Sequence, residues 1–198
     1  MIGSIALITD SASYLPAGVC AQHGVIVVPL TVAIDGREFR EGVDIDAGEF
    51  YRLAEGATSI TTSQPSPGVI ADAYRKAAAA GAKEIVSVHI GASLSGTMQS
   101  ASVAAGLSPV PVTVVDSGQA SFAEGLVVLE VIDALLRGAT VAAIPGTAAE
   151  ASSRVNSTFV VKTFGLAPPW RTPRTGRSGE RDPGPRHRGR RGTGRRFR

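Results

Sequence analysis

Two short polar segments carry the side chains best suited to receiving an anion. The first reads Thr61-Thr62-Ser63-Gln64-Pro65-Ser66, and the second reads His89-Ile90-Gly91-Ala92-Ser93-Leu94-Ser95-Gly96-Thr97. Each is expected to run from a strand end into a helix. A helix N-terminus carries about half a positive charge and unpaired N–H donors, so hydroxyls placed there receive anions well. In open α/β sheets the ligand crevice lies beyond the carboxyl ends of the strands. The two segments are therefore expected to form two sides of one small anion site.

Thr62 is the leading donor, a hydroxyl that can act beside backbone N–H groups. The plainer role for Thr62 and Ser63 is to satisfy loop backbone near Ser66. Ser93, Ser95, Gly96 and Thr97 make the second wall. Gly96 permits close approach of backbone to ligand, while Ser95 and Thr97 are equally suited to capping the following helix. Asp10-Ser11 and Asp116-Ser117 each end a strand. Acids there would repel a carboxylate, so they are read as ordering loops, with lining of the entrance as the alternative. His89 could serve as a base for Ser93 or Ser95, although a structural histidine at a strand end is the simpler reading. Three scattered histidines and one cysteine, Cys20, give no metal-ligand spacing. No Gly-x-x-x-x-Gly-Lys-Ser/Thr nucleotide loop is present. The nearest approach to a Gly-x-Ser-x-Gly elbow, Gly91-Ala92-Ser93-Leu94-Ser95, lacks its last glycine.

The elements that would position these residues alternate between short apolar strands and helices. Strands are expected at Ile5–Thr9, Val25–Leu30 with an extended continuation Thr31–Ile34, Glu84–His89, Val112–Val115 and Ser157–Val161. Asp35-Gly36 marks a turn, and 37–46 reads as polar and irregular. Helices are expected from Leu15-Pro16 to His23, from the Asp46 cap to Glu55, from Ser66-Pro67 to Ala80, over Thr97–Ala105, over Gln119–Leu136 and over Val141–Val155. Pro145-Gly146 should kink or break the last of these. The pattern predicts an α/β fold: a mainly parallel sheet with helices on both faces. Leu126, Leu129 and Phe122 on the long helix, and the strand Val25–Leu30, could line an apolar tunnel or serve as ordinary core.

Composition divides the chain. Hydrophobic residues make up 43% of the 198, which suits a packed body. The formal charge of +3 hides an asymmetry: residues 1–168 hold 9 Lys and Arg against 15 acids, while 169–198 hold 11 Arg against 2 acids. The amino end reads as a first strand rather than a signal peptide. No apolar run approaches the roughly 20 residues of a membrane helix. A cytoplasmic protein is expected.

Ile8-Thr9-Asp10-Ser11-Ala12, Thr62-Ser63-Gln64-Pro65-Ser66 and Leu94-Ser95-Gly96-Thr97 occur in an order and spacing that resemble the DegV family, over roughly residues 4–161. The resemblance implies a fatty-acid-binding protein of two α/β lobes, of which this chain supplies the amino-terminal one. It implies that Thr62 hydrogen-bonds the fatty-acid carboxylate, with Ser95 or Ser93 opposite. It implies no cofactor and no enzymatic activity of its own. The implied ligand is a long-chain acid of roughly sixteen to eighteen carbons, whose chain must be buried in apolar surroundings. The implied partner is a separate fatty acid kinase that phosphorylates the bound acid. Two rivals stand beside this reading. One is a serine-dependent hydrolase or transferase using Ser93 or Ser95 with His89; the other is nucleic-acid binding through the basic tail.

The domain reading is a DegV-type lobe over 1–161 and a basic tail over 162–198. Residues 171–198 contain no Leu, Ile, Val, Ala or Met, so the tail is expected to be disordered. Family members continue instead with an Arg-Gly-Gly-Arg-like helix and a second lobe. The tail's composition matches GC-rich coding sequence in a wrong frame, and a frameshift is expected near Val160–Thr163. The tail lacks interleaved aromatics for stacking on bases, so nucleic acid is not the expected partner.

Overall fold

The structure, a computed structural model, describes residues 1–158. Its larger sheet has four parallel strands: β1 (Ile5–Asp10), β2 (Ile26–Val28), β6 (Glu84–His89) and β7 (Val112–Asp116), in the order β2-β1-β6-β7. β1 pairs with β6 from Ile5 opposite Glu84 to Thr9 opposite Val88. Successive side chains of a strand point to opposite faces, so these apolar runs supply two cores. Ala6, Ile8 and Ile85 pack under α3 (Pro67–Ala79) and α4 (Thr97–Ala105), around the fully buried Tyr74. Leu7, Val86, Val88 and Val115 pack under α5 (Phe122–Leu136) and α6 (Ile144–Ser153).

The parallel sheet with both faces covered is as expected. The segment between β2 and α3 departs from expectation. Pro29 has no N–H to give a ladder, and the Leu30 N–H donates to Ser11 Oγ at 2.9 Å. The second strand therefore stops at Val28, short of the expected Leu30. Thr31–Ile34 is not its continuation but β3 of a separate antiparallel sheet. That sheet has the order β4-β3-β5, with β4 at Arg37–Arg40 and β5 at Ile60–Ser63. The expected irregular stretch after the turn is thus partly a strand. Phe39 points into a small core with Val32, Ile34 and Ile45, while Glu38 and Arg40 face out. The turn itself is held by Asp35, whose carboxylate accepts from the Thr58 and Ser59 N–H groups and the Thr58 hydroxyl. α1 (Ala17–His23) and α2 (Ala47–Ala54) complete the described chain.

Several helix boundaries follow the sequence signals. Asp46 caps α2 by accepting from Glu49 N at 2.8 Å, and Ser66 with Pro67 opens α3. A 3-10 turn at Val141–Ala143 precedes α6, so Pro145 sits in the first helical turn, where its missing N–H costs nothing. α5 starts at Phe122, three residues later than expected. Gly118 has a positive φ of 63°, and the Gln119 side-chain amide donates to Ser152 and to the Val155 carbonyl, which draws this stretch towards α6. Ser157 and Thr158 lie in no strand. The rest of the expected strand to Val161, the frameshift position and the basic tail lie outside the described residues.

Among the described residues no helix is long and apolar enough to cross a membrane.

Candidate functional site

The loops after β1, β6 and β7 gather at the carboxyl ends of the parallel strands. After β1 the chain makes a 3-10 turn, Ser11–Ser13, capped by the Asp10 carboxylate, which accepts from Ala12 N at 3.1 Å. After β6 it turns through Gly91, whose carbonyl accepts from the Leu94 and Ser95 N–H groups. The Gly91 N–H donates to the Gln119 carbonyl at 2.8 Å. A β-carbon on Gly91 would sit 3.0 Å from the Gly118 carbonyl carbon, so the β6 and β7 loops are in close backbone contact. Asp116 Oδ1 ties the same two loops, accepting from Ala92 N at 3.1 Å and Gly118 N at 2.8 Å. Ser117 is buried within this junction and exchanges hydrogen bonds with the Gln119 backbone.

Thr62 reaches the cluster from elsewhere. It lies inside β5, opposite Val32 in the antiparallel sheet, and not in a loop leaving a parallel strand. The expected geometry of that wall is corrected accordingly. The two walls nevertheless converge. A β-carbon on Gly96 would sit 2.6 Å from Gln64 Nε2, so the Gln64 amide lies against the glycine of the serine loop. The absence of a side chain at Gly96 is what lets the two segments close on each other.

The hydroxyls differ in their freedom. Thr62, Ser63 and Ser93 are exposed, and the side chains of Thr62 and Ser93 make no hydrogen bond to another described residue. Ser95 Oγ is 2.9 Å from Thr97 Oγ1 and accepts from Thr97 N at 3.3 Å. Thr97 is buried. Neither Ser95 nor Thr97 is the cap of α4; Gly96 holds that position and offers no side chain. Phe122 is 45% exposed at the start of α5, in line with exposed Leu126 one turn on.

His89 belongs to a different assembly. It is fully buried, with Nδ1 3.0 Å from Asp10 Oδ2 and Nε2 2.8 Å from Ser87 Oγ. Tyr74 OH donates to Ser87 Oγ at 2.9 Å, and the Ile90 N–H donates to Asp10 Oδ2 at 3.0 Å. Both ring nitrogens are engaged away from Ser93 and Ser95, so the structure does not assemble the expected histidine–serine alternative. Asp10 is also fully buried rather than set at an open entrance. The alternation of Ser87 and His89 on one strand face was available in the sequence as a signal for this network.

Two further acids escaped the sequence reading. Glu41 accepts from Ser11 Oγ at 2.6 Å and from Tyr14 OH at 2.8 Å, joining the small sheet's loop to the β1 turn. Burial first, and then the hydrogen bond to Glu41, push the Tyr14 phenol up to about 12. Glu124 is fully buried in the first turn of α5; its Oε1 accepts from Thr9 Oγ1 at 3.2 Å. No group of three or more His, Cys, Asp or Glu suited to a metal ion occurs among the described residues.

Two open depressions lie away from the hydroxyl cluster. One of about 480 Å³ is lined by Leu126, Leu129, Ala151 and Val155 with Glu130, Asp133 and Arg154 at its polar margin. Another of about 320 Å³ lies on the small sheet beside Phe39 and Leu53. Neither depression contains the hydroxyl-bearing residues at the strand ends, while Leu126 and Leu129, two of the candidate tunnel residues, line the first.

These features define an α/β lobe with an appended antiparallel sheet, whose hydroxyl-bearing segments meet at the carboxyl edge of a parallel sheet. The chain belongs to the DegV family: the model of that family, described as one of uncharacterised proteins, matches residues 4–165. A DegV domain-containing protein of Streptomyces coelicolor is 38% identical over 160 residues, covering 81% of this chain and 57% of the relative. The structure of a DegV family protein from Thermus thermophilus, described for its fatty acid binding, is 41% identical. It has a TM-score of 0.68 and covers 75% of this chain and 53% of its own. A stearic-acid-binding protein from Eubacterium ventriosum is 28% identical, with a TM-score of 0.67, covering 73% and 52%. The chain thus spans about half the length of these relatives.

Proposed function

We propose that this lobe holds a long-chain fatty acid, with the carboxylate received at Thr62 and at Ser93 or Ser95. The observation that carries the reading is the meeting of the two hydroxyl segments at Gly96 and Gln64. The exposed Thr62 and Ser93 hydroxyls on these two segments support the reading. Fatty acid binding in solved relatives of the same fold supports the choice of anion. Exposed Phe122 and Leu126 would begin the apolar path for the acyl chain. The protein's role would be to shield that chain and present the head group to a separate kinase, which makes the acyl phosphate.

The test is retention of a radiolabelled C16 or C18 acid by the purified chain, followed by variants. A hydrogen bond to a charged group contributes about 1.5–3 kcal/mol. Thr62→Ala should therefore weaken binding by roughly ten- to a hundredfold. Unchanged retention in both Thr62→Ala and the Ser93→Ala/Ser95→Ala double variant would remove the carboxylate from these loops.

A further inference from the structure

Thr9, Asp10, Tyr74, Ser87, His89 and Glu124 form a polar assembly from which water is excluded, each residue fully buried. Its hydrogen bonds fix where its protons must lie. Ser87 Oγ accepts from Tyr74 OH, so the Ser87 proton is directed to His89 Nε2. Nε2 is then an acceptor, and the proton of the neutral ring sits on Nδ1, donated to Asp10 Oδ2. An imidazolium would place a second donor on Ser87 Oγ and leave the Ser87 hydroxyl proton without its acceptor in the core, which is costly.

The histidine therefore brings no positive charge to balance the acids. Asp10 has room for about four hydrogen bonds. Among the described residues it receives three, from Ala12 N, Ile90 N and His89 Nδ1. Glu124 uses Oε1 for Thr9, while its Oε2 is buried and has no partner among the described residues. Among the described residues one acceptor site is open on Asp10, and one oxygen is orphaned on Glu124, whose carboxyl lies within hydrogen-bonding reach of the Asp10 side chain. A single proton resolves both.

We infer that Glu124 is held as a neutral carboxylic acid that donates its proton to the Asp10 carboxylate, so that one buried proton positions the β1, β6 and α5 junction beneath the hydroxyl segments. Glu124 is thus a positioning residue. It steadies Asp10, and Asp10 in turn holds Ala12 of the 3-10 turn, the His89 tautomer and the first N–H of the serine loop. The groups facing it agree in sign. Asp10 from β1 and Glu41 from the loop after β4 both disfavour a second charge, and neutral His89 and the Tyr74 and Tyr14 phenols offer none to offset it. Burial first, and the Asp10 charge second, raise the Glu124 carboxyl from 4.5 to about 10.

The sign of the pH dependence follows. The folded chain keeps a proton that the unfolded chain gives up, so the stabilisation is complete below about pH 4.5 and is lost as pH rises through about 10. Infrared spectroscopy of the full chain at pH 7 tests the inference directly. Exposed carboxyls are ionised there, so the folded protein should show the carbonyl stretch of one protonated acid. Glu124→Gln keeps a donor at the same place and should abolish that band. Across pH 6–9, the wild-type folding constant should fall by up to about tenfold more per pH unit than that of Glu124→Gln. Absence of the band in the folded wild type overturns the inference, as does its persistence in the variant. If Glu124→Gln does not fold, alkaline titration of the wild type decides: the band must disappear near pH 10, and a band unchanged to pH 11 overturns the assignment.

Discussion

His89→Ala should destabilise the chain by about 3–5 kcal/mol, because a buried carboxylate and a buried hydroxyl each lose a hydrogen-bond partner and the ring leaves a cavity. Asp10 would lose the Nδ1 donor and Ser87 its acceptor, in a place where neither is exposed to water. Denaturant unfolding measures the loss, and a change below about 1 kcal/mol would show that the network is dispensable. The same variant separates two roles for the histidine. A base acting on Ser93 or Ser95 would lose turnover on an ester probe while the fold stayed intact. A structural histidine gives a large loss of stability and no turnover specific to the wild type.

The second large effect is expected at Gly125. A β-carbon there would overlap the carbonyl oxygen of Ser13 and sit 3.2 Å from Phe122 Cδ2 and 3.5 Å from Leu15 Cδ2. The first of these is backbone and cannot rotate away. Glycine inside a helix ordinarily costs about 1 kcal/mol relative to alanine, so its presence in α5 marks how closely the helix must approach the β1 turn. Gly125→Val should cost about 3 kcal/mol, at the upper end of overpacking effects. That corresponds to a fall in Tm of roughly 6–12 °C for a chain of this size. The displaced 3-10 turn carries Ser11, so the hydrogen bond to Glu41 should loosen with it. Hydrogen exchange at Leu30, whose N–H is received by Ser11, reports that movement. Unaltered melting and unaltered exchange would mean that the turn can yield at no cost.

The parallel sheet was legible because its strands are continuous apolar runs, which only burial on both faces explains. The helix starts at Asp46 and Ser66 were legible because capping is local chemistry. β4 was not read because Arg37-Glu38-Phe39-Arg40 shows one apolar residue in four. The Asp35-Gly36 turn and the inward Phe39 were the signal, but a strand covered on one side by so small a core leaves little pattern. Thr62 was placed at the site by motif, whereas its position inside β5 depends on pairing with Val32, a tertiary fact. Glu124 stood on the buried stripe of α5, three and four residues before Val127 and Val128. An acid on an apolar helix face was a sign of a buried carboxyl. The partner that makes it tolerable, Asp10, is more than a hundred residues away in the chain and could not be inferred from spacing.

The order of the strands also governs the sequence of events during synthesis. β1 is made before the other described strands, yet one of its two neighbours, β6, lies 79 residues further on at the pairing of His89 with Asp10. At about 5–20 residues per second the ribosome needs several seconds to deliver it. The antiparallel sheet, complete between Thr31 and Ser63, can close first from contacts nearby in the chain. Throughout that interval Ile5–Thr9 is an apolar strand with an unfilled edge. Nascent chains of this protein are therefore most exposed to misassociation before residue 90 has emerged, and the first of these strands to be translated is among the last to be secured.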